Sequence, residues 1–328
     1  MKELSLREIQ LAELEILKKL DEICRAEGLT YYLYYGTLIG AIRHKGIIPW
    51  DDDIDIAMPA EDYLQFVKLC KKGVLSKHLH FTEYIWFGGK IHDDRTMFTN
   101  AYYLNNPDFY TGVSMDVVPL INVPDKKEEQ KKFMEDLINF HKAGVLYERY
   151  GILEGYSSKK ELFSKRDYFL KKYKFGETKH IVDYSDHRYV LEMIGFEKPI
   201  MMDFEDTTVP VSSNYEGDIK IQYKNFQKYP PKEKRASIHQ KMSILDLEKS
   251  YLKYADAFLK SSAEIKEIIS AMHAFEGFCE HGIYYRDDII NNVTRDYNNA
   301  ISENEKLRRR LDERFHYLKK VKRAITRK

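Results

Sequence analysis

The chain has 328 residues, of which 43% are apolar and 32% charged, and its 53 basic residues nearly balance 52 acidic ones. This composition is typical of a globular protein and excludes collagen-like, wholly disordered and disulfide-stapled classes. The longest apolar stretch, residues 31–42, is too short for a membrane-spanning helix, which needs about 20 residues. The N-terminus lacks the apolar segment of a signal peptide and the three cysteines are isolated, so we expect a cytoplasmic protein.

Local patterns predict alternating helices and strands before Pro231. A capping-box sequence, Ser5-x-x-Glu8, precedes apolar residues spaced three and four apart, which predicts an amphipathic helix that ends near Gly28. Strands are predicted over residues 31–35, 53–56, 79–86 and 110–118, and helices over 59–70 and from about 125 to 151. This mixture predicts an α+β fold.

The end of the chain differs in composition from the rest. All nine prolines lie at or before Pro231, which predicts a helical C-terminal extension. From about residue 290, apolar residues recur in a heptad pattern with Asn304 at one a position and Arg314 at one d position, which is typical of a coiled coil. A single amphipathic helix folded back on the domain remains the alternative. Residues 306–328 contain eleven basic and two acidic residues, so a basic tail follows an acidic body.

Two carboxylates on one predicted strand indicate chemistry. Asp53 and Asp55 alternate with Ile54 and Ile56, so the two carboxylates share a strand face, with their Cα atoms about 6.7 Å apart. Like charges flanked by apolar residues favour a divalent cation with a preference for oxygen ligands. Asp116, on another predicted strand, is a candidate for a third ligand. Three such carboxylates suit one or two Mg²⁺ ions that bind phosphate oxygens.

The other acidic residues of this segment have a plainer interpretation. Asp51 and Asp52 follow Pro49-Trp50 and are interpreted as solvated turn residues. A calcium-binding EF-hand loop is excluded because Ile56 stands where that loop requires glycine. A DxD glycosyltransferase that holds a nucleotide sugar through Mn²⁺ remains an alternative.

Residues 36–56, GTLIGAIRHKGIIPWDDDIDI, closely resemble the signature of the LicD family. The resemblance continues in GGKIHDDRT (88–96), MDVVPL (115–120) and YPPKEKR (229–235). The family is similar to fukutin-related protein and belongs to the nucleotidyltransferase-like superfamily. The resemblance therefore implies a catalytic domain over residues 1–240, with a mixed β-sheet flanked by helices, followed by the helical extension 241–328.

The resemblance also implies an activity. LicD-type enzymes transfer a phosphorylated alcohol, most often phosphocholine, from a CDP-activated donor to a hydroxyl of a cell-surface glycan such as lipopolysaccharide or teichoic acid, and release CMP. The superfamily pattern maps its Gly-Thr turn onto Gly36-Thr37, which would line the donor. Asp53, Asp55 and Asp116 map onto the catalytic and metal-binding positions for Mg²⁺ or Mn²⁺, and Asp116 would also take the acceptor proton.

A pyrophosphate donor requires cations to hold its phosphates. Arg43 and Lys45 lie beside the acidic motif, and Lys90 and Arg95 lie in the second matching block. We expect these four residues to contact the donor phosphates, and Arg43 and Lys90 are the stronger candidates.

The expected partners follow from this interpretation. They are a CDP-alcohol, with CDP-choline favoured by its frequency in the family, and a glycan acceptor, whereas no nucleic acid is expected. The basic tail suits the anionic inner face of a membrane, and the heptads suit a homodimer. Two alternatives stay open: the DxD glycosyltransferase, and a catalytically inactive scaffold assembled through the coiled coil.

Overall fold

A computed structural model describes residues 5–96, 112–150, 153–232 and 235, which belong to one compact unit of the chain. The predicted extension 241–328, with its coiled coil and basic tail, lies outside the described residues. No helix within the described ranges combines the length and the apolar character needed to cross a membrane.

The described chain combines six α-helices and a short 3-10 helix (Met193–Phe196) with nine strands, which confirms the α+β prediction. The helices are α1 (Leu6–Glu27), α2 (Tyr35–His44), α3 (Ala60–Lys71), α4 (Lys127–Tyr150), α5 (Lys159–Lys171) and α6 (Tyr215–Gln222). The strands are β1 (Tyr32–Leu33), β2 (Asp55–Pro59), β3 (Leu79–Glu83), β4 (Gly89–Asp93), β5 (Ser114–Val123), β6 (His180–Asp183), β7 (Val190–Glu192), β8 (Ile200–Phe204) and β9 (Thr207–Val211).

Seven strands form one mixed sheet in the order β1-β2-β5-β4-β3, with β6 paired to β5 and β7 paired to β6. Strands β2 and β5 run parallel, and the other neighbours are antiparallel. Strands β8 and β9 make a separate hairpin. The ten-residue β5 therefore lies at the centre and has β2 and β4 as its neighbours at the beginning of the strand.

The two faces of the sheet carry different sets of side chains. Ile54, Ile56 and Met58 are fully buried in the main core, which also contains apolar residues of α1, α3, α4 and α5. Ala57 and Val118 belong to a smaller cluster on the opposite face. Because side chains alternate along a strand, Asp55 and Asp116 lie on this second face.

Helix α1 begins and ends as its sequence predicts. Ser5 and Glu8 form the complete capping box, and Gly28 ends the helix in the left-handed conformation at φ 66°. The buried face of α1 is mainly apolar. It also contains two polar side chains, Gln10 and Glu13, which are 3% and 2% exposed.

The first predicted strand is shorter than expected. Residues 32–33 pair with β2, and helix α2 begins at Tyr35. The backbone N–H of Tyr34 donates to the carbonyl of Asp55, which ends the pairing where the helix starts. Strand β4, with Gly89 and Lys90 at its start, was not predicted, because these two residues break an alternating apolar pattern.

Buried His141 predicts a dependence of stability on pH. Burial, with a smaller effect of His187, lowers the pKa of His141 to about 3. Below pH 6.5 the unfolded chain therefore gains a proton that the folded chain does not, and the free energy of unfolding decreases by about 1.4 kcal/mol per pH unit until pH 3. Between pH 7.5 and 5.0 we expect urea unfolding to show a loss about 2 kcal/mol larger for the wild type than for His141→Leu. Equal losses of unfolding free energy in the two proteins would contradict a lowered pKa of His141 in the folded chain.

Candidate active site

Three charged side chains lie opposite one another across the centre of the sheet. Asp55 of β2 is the register partner of Asp116 of β5, and Asp116 is the register partner of Lys90 of β4. Neighbouring strands are about 4.8 Å apart, so the three residues form a continuous row, here called the charged row. The ammonium of Lys90 makes an ion pair with the Asp116 carboxylate. The sheet register therefore brings together two predicted carboxylates and one predicted phosphate contact.

Asp53 adds a further negative charge to this row. It precedes β2 by two residues, and its neighbours Ile54 and Ile56 are fully buried. Burial is the main cause that raises the pKa of Asp55 well above its usual value, followed by the charges of Asp53 and Asp116. An ionised Asp55 thus requires a compensating positive charge, and a set of hard carboxylate oxygens fits a divalent cation such as Mg²⁺ or Mn²⁺.

Asp51 and Asp52 lie closer to Asp53, and Asp52 is more buried, than the sequence indicated. They lie outside β2 in the segment after Pro49-Trp50, as expected for turn residues. However, one oxygen from each of Asp51, Asp52 and Asp53 lies within 4.8 Å of the others. Asp52 is only 8% exposed, so it is not a solvated turn residue. These three residues are called the acidic cluster below.

The Gly-Thr pair lies in the first turn of α2. The hydroxyl of Thr37 accepts a hydrogen bond of 2.8 Å from the backbone N–H of Asp55, and so fixes the start of β2 against the helix. A Cβ at Gly36 would lie 2.9 Å from Oδ2 of Asp51, so the absence of a side chain leaves room for that carboxylate. The first N–H groups of a helix lack intrahelical acceptors and favour anions.

The residue before this pair has an uncommon conformation. Tyr35 has φ 43°, a left-handed value that costs about 1 kcal/mol in a residue other than glycine. Its hydroxyl donates a 2.6 Å hydrogen bond to Asp183 at the end of β6. Asp183 is 1% exposed, and burial raises its pKa to about 6. Sequence reasoning missed Asp183, because it reaches the site only through the pairing of β6 with β5.

Two arginines share two aromatic rings beside the acidic cluster. The guanidinium carbon of Arg43 lies 4.8 Å from the centre of the Tyr229 ring, and that of Arg235 lies 5.1 Å from Trp50 and 5.2 Å from Tyr229. Arg43 also donates to the backbone carbonyl of Phe226 at 2.6 Å. This arginine pair joins two segments of the family signature that are far apart in sequence.

Lys45 and Arg95, the other two predicted phosphate contacts, belong neither to the charged row nor to the arginine pair. Lys45 caps the C-terminal end of α2, about 13 Å from Gly36 along the helix, and lines a surface hollow with Asp203 and Glu205. Arg95 follows β4 and makes hydrogen bonds of 2.9 and 2.6 Å with the two carboxylate oxygens of Asp93. Their contacts with a donor stay predictions.

Comparisons with known proteins agree with this geometry. Residues 28–136 match the family model described as LicD/FKTN/FKRP, nucleotidyltransferase domain. The chain is 30% identical to the lipopolysaccharide cholinephosphotransferase LicD of Haemophilus influenzae over 270 residues, which cover 73% of this chain and 97% of that protein. A 40-residue segment is 48% identical to the ribitol 5-phosphate transferase FKRP of human and of mouse, and covers 8% of those proteins. With most of its length aligned to a LicD enzyme, and with Asp55 and Asp116 paired on neighbouring strands, this chain belongs to the LicD family of transferases.

Proposed function

We propose that this protein transfers a phospho-alcohol group, phosphocholine being the first candidate, from a CDP-activated donor to a hydroxyl of a cell-surface glycan. The observation that carries the proposal is the charged row of Asp55, Asp116 and Lys90, which places two carboxylates and an ammonium side by side on one sheet face. The similarity to a lipopolysaccharide cholinephosphotransferase supports the choline group and the glycan acceptor.

A divalent cation, Mg²⁺ or Mn²⁺, fits the carboxylates of Asp53, Asp55 and Asp116 and when bound would neutralise charge on the phosphate oxygens of the donor. The fit rests on the oxygen-only donor set and on the raised pKa of Asp55, which results first from burial and then from the neighbouring carboxylates.

The side chains around this site would have distinct roles. The acceptor oxygen attacks the phosphorus that bears the alcohol, the bond from that phosphorus to the bridging oxygen breaks, and CMP leaves with that oxygen. Asp116 accepts the proton of the attacking hydroxyl and passes it to solvent. Lys90, whose ammonium already lies at Asp116, would hold an oxygen of the transferred phosphate, and Gly36 and Thr37 would line the donor.

The arginine pair offers a place for the leaving nucleotide. Arg43 and Arg235 lie against the same rings. Arg43 donates to the Phe226 carbonyl and to Nδ1 of His44, Arg235 donates to the Pro230 carbonyl, and each guanidinium has further N–H groups. Guanidinium groups bind phosphate through paired N–H donors. We therefore assign the phosphate of the leaving CMP to these two residues.

The setting of the reaction is also a proposal. A CDP-activated donor supports action in the cytoplasm. The basic residues 306–328 would bring the enzyme to the anionic inner face of a membrane, and the heptads from about 290 would pair two chains.

A thermal-shift screen with Mg²⁺ tests the donor class directly. We expect CDP-choline, or else CDP-ribitol, CDP-glycerol or CDP-ethanolamine, to raise the melting temperature of the full chain. A ligand at one hundred times its dissociation constant adds about 2.7 kcal/mol to the free energy of unfolding. Stabilisation by UDP-sugars alone would favour the glycosyltransferase alternative, and no stabilisation by any nucleotide would favour the inactive scaffold.

Two glycines of α2 provide a matched pair of substitutions. In Gly36→Ala the new Cβ displaces only the end of the Asp51 side chain, so we expect at least tenfold lower turnover and less than about 1 kcal/mol change in stability. In Gly40→Ala the Cβ would lie 2.5 Å from the backbone oxygen of Gly46, so we expect a loss of about 1–3 kcal/mol. Chemical unfolding and CMP release measure both effects. Unchanged turnover in folded Gly36→Ala would contradict the proposed place of Gly36 beside the donor.

A further inference from the structure

The chain bends around Asp55 at the point where helix α2 begins. The backbone N–H of Tyr34 donates to the carbonyl of Asp55 at 3.0 Å, and the N–H of Asp55 donates to the hydroxyl of Thr37 at 2.8 Å. Both backbone groups of a proposed metal ligand are therefore held by residues 34 and 37. Because Tyr35 and Gly36 lie between these two contacts, their conformation sets the position of the first turn of α2 relative to Asp55.

Tyr35 makes this bend in a conformation that suits glycine better. Its φ of 43° lies in the left-handed region, which is unfavourable for a residue with a Cβ atom. A strained residue persists only where its surroundings fix it, and such residues cluster at functional sites. Glycine would adopt this φ without strain. Tyrosine at this position therefore indicates that the side chain itself contributes to the bend.

The hydroxyl of Tyr35 fastens the bend to the central sheet. It donates to Oδ2 of Asp183 at 2.6 Å, and burial followed by the charge of Asp183 raises its pKa, so it stays protonated. The other carboxylate oxygen of Asp183 accepts from the N–H of Ser185 at 2.6 Å, from its hydroxyl at 2.7 Å and from the N–H of Asp186 at 3.2 Å. Asp183 is also the register partner of Leu120 on β5. The acceptor of the Tyr35 hydroxyl is thus fixed on both sides.

The usual means of fixing a helix start is missing from α2. Ser, Thr, Asp or Asn at the N-cap commonly accepts a hydrogen bond from an N–H of the first turn. The N-cap here is Tyr34, whose side chain makes no such bond within the described part of the chain. Its ring instead packs against the ring of Tyr35, with 4.5 Å between their centres. The start of α2 therefore depends on the Tyr35 hydroxyl and on Thr37, and its N–H groups are left without a side-chain cap from Tyr34.

We propose that Tyr35 and Asp183 are positioning residues of the transfer reaction, and that their hydrogen bond holds the first turn of α2 at the correct place beside Asp55. The inference rests on the proposed function, in which Gly36 and Thr37 of this turn line the donor. The first N–H groups of a helix favour phosphate, so the turn would place the donor against the metal-binding carboxylates. An error of about 1 Å in such a geometry is able to lower a rate about 100-fold.

Hydrogen exchange tests the positioning without donor, acceptor or metal. Tyr35→Phe removes only the hydroxyl, so in the full chain we expect the amide of Asp55 to exchange at least tenfold faster by NMR, with the amides of α5 unchanged. The matched control is Tyr31→Phe, which removes another tyrosine–aspartate hydrogen bond, 2.9 Å long, to Asp21 on α1. It should leave exchange at Asp55 within twofold of the wild type. Unchanged exchange at Asp55 in Tyr35→Phe would overturn the proposal, whatever reaction the protein catalyses.

Kinetics test whether the turn matters for transfer. With CDP-choline, Mg²⁺ and a glycan acceptor, Tyr35→Phe should lower kcat/KM for the donor at least tenfold, and Tyr31→Phe should stay within twofold of the wild type. Mn²⁺ affinity without donor should stay within threefold, because the carboxylates of the metal site are retained. Normal kcat/KM in Tyr35→Phe would contradict the proposal. Absence of CMP release by the wild type would instead contradict the proposed function, and exchange at Asp55 would then decide alone whether Tyr35 holds the turn.

Two further variants test whether Tyr35 acts through Asp183. Asp183→Ala removes the acceptor and should lose at least as much activity as Tyr35→Phe, and the double variant should stay within twofold of Asp183→Ala. Losses that multiply would show independent roles and overturn the proposal. Tyr35→Gly covers the case in which Asp183→Ala does not fold, because glycine allows the same φ without the hydroxyl. Its activity should be no higher than that of Tyr35→Phe, and wild-type activity would show that the bend needs no side chain.

Discussion

Asp53→Asn and Asp55→Asn should each lower turnover by on the order of 10³-fold or more while leaving the fold intact. Loss of one ligand weakens binding of the cation. A thousandfold decrease in turnover corresponds to about 4 kcal/mol of lost transition-state stabilisation. The metal-free variants should be as stable as the wild type or slightly more stable, because the charges of Asp53 and Asp116 oppose ionisation of Asp55. CMP release and chemical unfolding without metal measure the two effects.

The control for this experiment is Asp136→Asn on α4. Its carboxylate pairs with Lys165 on the surface, so the substitution removes the same charge away from the site. We expect its turnover within twofold of the wild type, since surface ion pairs contribute about 0–1 kcal/mol. Turnover of Asp53→Asn and Asp55→Asn within a few-fold of the wild type would remove both residues from the metal site.

Lys90→Met should change metal binding and turnover in opposite directions. The ammonium of Lys90 pairs with Asp116, so it competes with a cation for that carboxylate. We therefore expect Mn²⁺ to bind a few-fold more tightly to the variant. The same substitution removes the proposed phosphate contact, and turnover should decrease about 100-fold, or about 3 kcal/mol.

Lys71→Met serves as the matched control for Lys90. Lys71 is the last residue of α3 and pairs with Glu83, the last residue of β3. The side chain of Lys71 is exposed. The substitution should leave metal affinity and turnover unchanged. If Lys90→Met instead bound Mn²⁺ more weakly and kept normal turnover, Lys90 would support the carboxylates without contacting phosphate.

Local features of the fold were predictable from the sequence. The capping box of Ser5 and Glu8 and the stop at Gly28 depend on neighbouring residues, and both are confirmed. The alternation of Ile54 and Ile56 with aspartates also predicted the buried side of β2. Patterns of this kind depend on a few adjacent positions, so they can be recognised in one sequence without long-range information.

Other features depend on contacts between distant segments. Lys90 meets Asp116 only through the register of β4 on β5, and Asp183 reaches Tyr35 only through the pairing of β6. The segment of the buried Asp52 is likewise tied to a distant element, since the side-chain amide of Gln10 on α1 donates to the backbone carbonyl of Asp51.

Product analysis tests the central proposal most directly. The donor is CDP-choline that carries ¹⁸O at the non-bridging oxygens of its choline-bearing phosphate. The full chain, Mg²⁺ and a glycan acceptor are incubated with this donor and, in parallel, with nucleotide sugars, and the products are followed by ³¹P NMR. We predict that unlabelled CMP is released and that the label appears in a phosphodiester on the glycan. Release of a nucleoside diphosphate from a nucleotide sugar, with CDP-choline left unchanged, would contradict phosphotransfer and assign the site to glycosyl transfer.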